Sequence, residues 1–320
     1  MTTINDLTFA DLLITDNSSV FRYLEGQKQP ISVVDDVYRS EIQQIRNVIA
    51  EEKKHKGNEF FYSHEGNPYR VTVINTVNGT GYFLRKLKLP VPPLSSLGFT
   101  PAVLNTLKAL GKHKGLILIG GATGSGKSTT IYSLLTDFVT RYGDIIISIE
   151  DPPELPAQGM YGEDSRGIWY QLDARDAGGY EKAMISAMRY NPRYIFLGEI
   201  RSPKTAKEAI RAAVNGHLVV STIHGSSVQG SLYALQQIAA AEGDPELARS
   251  IIADGLLCVI HQELHFTETG HRKLSCSLLC NDGTPSIASK IRNGKLELLT
   301  NEIEAQKIQL SRGMSLVRTL

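Results

Sequence analysis

Apolar positions change their spacing about a third of the way along the chain. In the first part they alternate with polar ones in short runs, Tyr69–Thr76 (YRVTVINT) and Tyr82–Leu87, on either side of Val77-Asn78-Gly79-Thr80-Gly81. Alternation places every second side chain on one face of a strand, and an Asn-Gly pair tolerates the positive φ angles of a tight reversal, so this stretch predicts a β-hairpin. Ile42, Ile45, Val48 and Ile49 recur instead at three- and four-residue spacing and predict a helix between Ser40 and Lys54. Residues 1–98 therefore read as a small α+β domain that ends in a proline-rich linker.

That linker, Leu89-Pro90-Val91-Pro92-Pro93-Leu94, is stiff and extended because each proline fixes φ and removes an N–H. Thr100-Pro101 then pairs a cap residue with proline at a first helical position, and the helix it opens runs to Gly111. From Gly115 onward the apolar residues form short, nearly continuous runs: Leu116–Ile119, Ile145–Ile149, Tyr194–Leu197 and Leu218–Thr222. Amphipathic segments separate them, at Ser128–Phe138, Tyr180–Tyr190 and Pro203–Val214. Strands apolar on both faces and alternating with helices predict an α/β domain over residues 99–320, built on a mostly parallel sheet covered on both sides. The tail from Leu232 is expected to be mainly helical, and neither a repeat nor a low-complexity segment interrupts the chain.

Composition narrows the class. Of 320 residues, 42% are hydrophobic and 21% charged, the balance of a soluble globular chain rather than a disordered one. Lys and Arg total 34 against 33 Asp and Glu, so net charge gives no reason to expect direct nucleic-acid binding. The longest apolar runs are strand-sized, well short of the roughly 18 residues of a membrane span. The opening MTTINDLTFADLL has neither the basic start nor the hydrophobic block of a signal peptide. Cys258, Cys276 and Cys280 cannot all pair, which fits a reducing, intracellular compartment. Cys276 and Cys280 are too few for a zinc site and read as ordinary buried thiols.

Gly121-Ala122-Thr123-Gly124-Ser125-Gly126-Lys127-Ser128, followed by Thr129, matches the phosphate-binding P-loop at every fixed position. It also lies where the chemistry needs it, after an apolar strand and at the opening of a helix. The glycines let backbone N–H groups curl around phosphate oxygens, and the helix N-terminus adds a favourable dipole. Lys127 is expected to reach the β- and γ-phosphates of ATP, and the Ser128 hydroxyl to bind Mg²⁺. Ile149-Glu150-Asp151-Pro152-Pro153-Glu154 ends the next strand. Its carboxylates either hold Mg²⁺ through water and orient the attacking water, or form a solvated acidic turn before two prolines. Tyr194-Ile195-Phe196-Leu197-Gly198-Glu199 ends another strand and has Gly198 where many NTPases carry a metal-binding aspartate. Glu199 remains as the carboxylate able to polarise water toward the γ-phosphate, with Arg201 two residues on; an exposed Glu-Arg pair is the plainer reading. His217 and His224 flank a fourth strand and, at about 23 Å of extended chain apart, cannot share a ligand. His224, at the C-terminal end, is placed to sense the γ-phosphate.

Taken in order, GATGSGKST, IEDPPE, AMRYNPRYIFLGEIR and GHLVVSTIH resemble the Walker A, Asp, Walker B and His boxes of the type II/type IV secretion ATPase superfamily. The segments from Phe9-Ala10-Asp11-Leu12-Leu13-Ile14 to Phe21-Arg22, and Tyr69-Arg70-Val71-Thr72-Val73 and Tyr82-Phe83-Leu84-Arg85, are similar to the pilus retraction (PilT-like) members. So is the tail, from Asp282-Gly283-Thr284-Pro285 through Gly294-Lys295 to Arg312-Gly313-Met314. The resemblance implies a PAS-like N-terminal domain and a RecA-like ATPase domain. It also implies a homohexameric ring, peripheral to the inner membrane, that works on a membrane platform protein. It places ATP and Mg²⁺ between the two domains, with N-terminal arginines on the phosphates; by motif position these are Arg70 and Arg85. Glu199 carries over as the catalytic carboxylate, Glu150 and Glu154 as acidic-box residues, and His224 as the His-box residue.

Three departures qualify the resemblance. Pilus assembly members carry a paired CxxC insertion and long N-terminal extensions, and this chain carries neither. Retraction motors have an Ala-Ile-Arg-Asn-Leu element, where this chain reads Ser286-Ile287-Ala288-Ser289-Lys290-Ile291 without an arginine. That leaves room for the related ATPases of type IVB secretion and plasmid conjugation (DotB-like). Arg193 stands where an acidic residue is usual. A reading of another class also fits the P-loop: an assembly platform that nucleotide orders but does not drive.

Overall fold

A computed structural model describes residues 3–87, 89–266, 272–281 and 283–317. Asp282, part of the tail resemblance, lies outside the described residues, as do the first two residues of the opening segment. The chain divides into two compact units. One comprises Met1–Pro90 with Glu154–Pro156, the other Val91–Pro153 with Ala157–Leu320. The linker prolines from Val91 onward thus group with the second unit: Leu94 is buried and the Ser133 hydroxyl donates to the Pro92 carbonyl at 2.7 Å.

In the first unit, β1 (Asp11–Ile14), β2 (Ser19–Arg22), β3 (Ile31–Val33), β4 (Glu59–His64), β5 (Asn67–Thr76) and β6 (Gly79–Lys86) form one sheet in the order β3-β2-β1-β6-β5-β4. Every pairing in it is antiparallel. Helix α1 (Arg39–Lys56) lays Ile42, Ile45 and Ile49 on the face formed by Leu12, Phe21, Tyr69, Val71 and Leu84. Full burial of such a side chain contributes about 1.5–3 kcal/mol. Val48 does not join them and is 45% exposed. Three of the four helical positions account for the stripe, and the fourth falls on its solvent side. The hairpin reverses one residue earlier than the Asn-Gly pair suggests. Thr76 pairs with Gly79, so Val77 and Asn78 make the turn, and the Thr76 hydroxyl ties it by donating to the Gly79 carbonyl at 2.9 Å.

The second unit opens with α2 (Pro101–Leu110), β7 (Gly115–Gly120), α3 (Lys127–Tyr142) and β8 (Asp144–Glu150). It continues with β9 (Gly159–Tyr161), β10 (Gly167–Asp173), α4 (Tyr180–Arg189), β11 (Tyr194–Glu199), α5 (Pro203–Val214) and β12 (Leu218–Ile223). Helices α6 (Val228–Ala240) and α7 (Pro245–Gly255), strands β13 (Leu256–Phe266) and β14 (Arg272–Cys280), and helices α8 (Pro285–Arg292) and α9 (Thr300–Ser311) complete it. The eight strands run in the order β14-β13-β7-β12-β11-β8-β10-β9. The six inner strands are parallel, and β14 and β9 are antiparallel edges. Leu118, Ile149, Leu197 and Val219 face α4–α7 through Met184, Ile210, Leu232 and Ile252. On the opposite face Phe138 and Tyr132 of α3 stack on Tyr194 and Trp169 respectively, and Tyr132 meets Phe196 edge to face.

Among the described residues the tail contains four helices, α6–α9, but also two strands that the expectation of a mainly helical tail leaves out. β13 inserts beside β7 in the sheet, and β14 follows it as an edge. The run LLCVIHQELHF is apolar and β-branched only in its first half, and its neighbours α6 and α7 are strongly amphipathic, which masked a strand of parallel-sheet type. β10 was hidden in the same way by mixed residues around Trp169, which is fully buried with its indole N–H on the Ser148 hydroxyl at 3.0 Å. Arg193 has a structural explanation. It donates to the Gly111 carbonyl at 3.1 Å and lies over the rings of Tyr194 and Tyr142, at 5.4 and 5.9 Å from their centroids. Cys258 and Cys280 face each other across β13–β14 as buried free thiols, sulfurs 3.3 Å apart; burial pushes the Cys276 thiol up to about 11.

Candidate functional site

Four parallel strands deliver their C-terminal ends to one edge of the second unit's sheet, and each carries one of the sequence motifs. β7 is buried throughout, and at Gly120 the chain leaves the sheet, loops and returns as α3. The loop depends on glycine. Gly121 has φ of +145°, and a Cβ there would lie 2.4 Å from the main-chain oxygen of Gln262 and 2.7 Å from the Ser125 hydroxyl. Gly124 and Gly126 also lie in the left-handed region, at +80° and +86°. The Ser125 N–H closes the turn on the Ala122 carbonyl at 3.2 Å. From β13, the Gln262 side-chain amide donates to the Ser125 carbonyl at 2.7 Å.

Lys127 curls back over this loop, its Nζ donating to the carbonyls of Gly121 and Ala122 at 2.8 Å each. Ser128 and Thr129 occupy the first turn of α3, where backbone N–H groups have no intrahelical partner; Thr123 and Gly124 form the exposed crest of the loop. A helix N-terminus and a lysine brought together by a glycine loop are the elements from which anion sites are built.

Glu150, the last residue of β8, is 3% exposed and fully engaged. The Tyr132 hydroxyl donates to one oxygen at 2.5 Å and the Gln171 amide to the other at 3.2 Å. Asp151, half-exposed, pairs with Arg175 at 3.4 Å. Arg175 also grips Asp173: burial opposes ionisation of that carboxyl, but the hydrogen bonds and charge of Arg175 outweigh it and hold its pKa below the usual value. Glu154 is exposed and belongs to the short segment that groups with the first unit.

Glu199 ends β11 after an irregularity in the β11–β12 ladder at Gly198. Arg201 holds one of its oxygens with two nitrogens, at 2.5 and 2.7 Å, and His224 Nε2 stands 3.1 Å from the other. His224 follows the end of β12. His217 is at that strand's opposite end, its Nδ1 on the Pro192 carbonyl at 2.6 Å, in a structural role. Gly198 lies close against its neighbours, where many NTPases carry an aspartate. A Cβ there would meet the Tyr180 hydroxyl at 3.2 Å and the Ile149 carbonyl at 3.4 Å. Burial, with Asp151 adding to it and Arg201 opposing, pushes the Tyr180 phenol up to about 12; Glu150 and Glu199 contribute further. Tyr180 and Gln262 escaped the sequence reading because nothing local distinguishes a tyrosine at a helix start or a glutamine within a strand.

In the first unit, strand register assembles a row of charges. Arg70 pairs with Arg85 across β5–β6, Arg85 with Asp11 across β6–β1, and Asp11 with Arg22 across β1–β2. Asp11 is 4% exposed and takes Arg85 Nε at 2.8 Å and Arg22 at 3.5 Å. Arg22 thereby joins the two predicted arginines on one face, because directly opposed residues point the same way.

The sequence model of the family described as type II/IV secretion system protein matches residues 25–300. Among curated relatives, competence protein ComGA of Bacillus subtilis is 28% identical over 241 residues, 74% of this chain and 65% of its own length. The type IV pilus retraction ATPase PilT of Pseudomonas aeruginosa is 31% identical over 239 residues, 74% of this chain and 66% of its own. The matched stretch thus spans just under two thirds of those relatives. Among solved structures, the pilus retraction motor PilT with bound ADP superposes with a TM-score of 0.78 at 27% identity, covering 96% of this chain and 87% of its own. The Legionella pneumophila ATPase DotB shares the fold, with a TM-score of 0.72 at 20% identity, over 96% and 89% of the two chains. The eight-stranded unit accordingly has the RecA-like fold of these ATPases.

Proposed function

The chain belongs to the type II/IV secretion system protein family, and from that premise we propose that it is a homohexameric ATPase motor. It drives a type IV pilus or a related secretion machine by hydrolysing ATP beside an inner-membrane platform protein. The observation that carries this reading is the convergence of the Gly121–Ser128 loop with Glu199, His224 and Arg201 at one edge of the sheet. A bare nucleotide anchor needs only the loop. Glu199 is instead gripped from two sides, as a group that must point in one direction is held.

In this mechanism the triphosphate displaces the loop carbonyls as the partner of Lys127 and takes the exposed N–H groups of the first turn of α3. The donor set fits Mg²⁺: Ser128 would hold it directly and Glu150, whose oxygens are already engaged, through water, with the ion neutralising phosphate charge. Glu199 accepts a proton from the attacking water, and Arg201 and His224 keep its carboxylate oriented. Arg70 and Arg85, with Arg22 beside them, supply guanidinium groups to the phosphates from a neighbouring subunit of the ring. Glu154, exposed, contributes as a second acidic-box residue. Among the described residues no helix is long and apolar enough to cross a membrane, which suits peripheral attachment through partners.

A DotB-like role in type IVB secretion or conjugation is favoured by one observation: α8 carries Ala288 in the stretch where retraction motors have an arginine, and Lys290 there is tied to Glu302. Steady-state phosphate release by purified protein, with sedimentation to find its oligomeric state, tests the motor reading. Turnover that Lys127→Ala abolishes is expected. A protein that binds nucleotide but releases no phosphate is instead the nucleotide-ordered platform.

A further inference from the structure

We propose that Gln262 is a positioning residue for the nucleotide site, fixing the peptide plane that aims the Gly126 N–H into the phosphate cradle. The inference rests on the reading of Gly121–Ser128 as the triphosphate site.

Register brings Gln262 there. It follows His261, which pairs with Gly120 where β7 gives way to the loop, and it is opposed by Cys276 of β14. Paired with β14, one place beyond the last β13–β7 pair, and 1% exposed, it has a backbone anchored by the sheet and no solvent to turn toward. Its side-chain amide donates to the Ser125 carbonyl at 2.7 Å. In a planar trans peptide the N–H points opposite to the C=O. With the Ser125 carbonyl drawn down onto β13, the N–H of Gly126 is turned away from the strand, toward the side open to an anion. Gly126 itself rests on the same shelf. A Cβ there would lie 3.2 Å from Leu264 and 3.3 Å from the Gln262 amide nitrogen, so the Gln262 amide packs directly beside Gly126.

A second observation marks the same pair. The Gln262 side-chain oxygen and the Ser125 hydroxyl are buried and without a hydrogen-bond partner among the described residues. Buried polar atoms are bonded in the great majority of cases; His113, Thr136, Glu208, Arg249, Asn281 and Glu302 also carry one unmet atom each, but here two fall on a single hydrogen-bonded pair at the loop and leave it capacity to respond to a ligand.

The test compares Gln262→Met with Gln306→Met. Gln306, in α9, makes the same kind of bond, donating to the Cys280 carbonyl at 2.7 Å and accepting from its N–H at 2.8 Å. It is buried as well but belongs to the β14 edge, away from the loop. Calorimetric titration of each folded protein with Mg-ADP, well below its melting temperature, reads the loop. Gln262→Met is expected to weaken ADP about tenfold, the loss that corresponds to one buried hydrogen bond. Gln306→Met is expected to lower the melting temperature and leave ADP affinity at the wild-type value. If Gln262→Met does not fold, Gln262→Glu, of the same size but facing the carbonyl with an acceptor, is expected to show the same loss. Wild-type affinity in a folded Gln262 variant overturns the proposal, as does an equal loss in both glutamine variants. A wild-type protein that binds no ADP overturns the nucleotide reading itself, and this inference with it.

Discussion

Replacing Gly121 by alanine separates two costs that the loop keeps apart. The first is backbone strain: φ of +145° is open to glycine and costs other residues on the order of 1–3 kcal/mol. The second is collision. The new Cβ would stand 2.4 Å from the Gln262 main-chain oxygen, against about 3.3 Å for a tolerable carbon–oxygen approach. That oxygen has little freedom to retreat, because Gln262 is paired with Cys276 of β14 and directly follows His261, the last residue of β13 paired with β7. The loop must move instead, and the anion cradle with it. Gly124→Ala is the control: its φ is +80°, but a Cβ there meets nothing within 4 Å, so it incurs strain alone. For a unit of this size each kcal/mol lowers the melting temperature by roughly 2–4 °C. Thermal denaturation should therefore place Gly121→Ala below Gly124→Ala by several degrees. Equal melting temperatures for the two variants would refute the claim that β13 forms a rigid shelf under the loop.

Two further outcomes follow from interactions away from that loop. Arg193→Ala should lower stability by no more than about 1 kcal/mol and leave turnover unchanged, because the Gly111 carbonyl keeps the Tyr194 hydroxyl as donor at 3.1 Å; denaturant unfolding with an ATPase assay checks both. Glu302 should sharpen acid sensitivity. Burial opposes its ionisation, but hydrogen bonds from Lys290 and Ser286 outweigh that and hold its pKa below the usual 4.5. The group therefore contributes stability above its unfolded pKa that is lost as pH falls through the lower folded value. Glu302→Gln should flatten the unfolding curve on that acid limb, and an unchanged limb contradicts the assignment.

The sequence exposed those parts of the site that local chemistry encodes. The Gly121–Ser128 loop is a contiguous pattern with one backbone solution, and Glu150, Glu199 and His224 each terminate an apolar run that can hardly be other than a buried parallel strand. What stayed hidden was set by register. Arg22 joins Arg70 and Arg85 only because β1 lies between β2 and β6, and Gln262 reaches the loop only because β13 returns to pair with β7. β13 itself was missed because its second half mixes buried polar residues, His261 and Gln262, with the exposed Glu263 and His265, so its pattern is neither alternating nor continuous. Gly198 looked like a lost metal ligand. In the fold a Cβ there would press on the Tyr180 hydroxyl, at 3.2 Å.

The most direct measurement is the rate of phosphate release at saturating Mg-ATP by wild-type protein and by Glu199→Gln. Glutamine preserves the size of the side chain and an oxygen for Arg201, but it cannot take a proton. The variant should bind nucleotide as the wild type does and turn over about 10²–10⁴-fold more slowly, the usual contribution of a positioned general base. Near-normal turnover in Glu199→Gln would contradict the account at its centre.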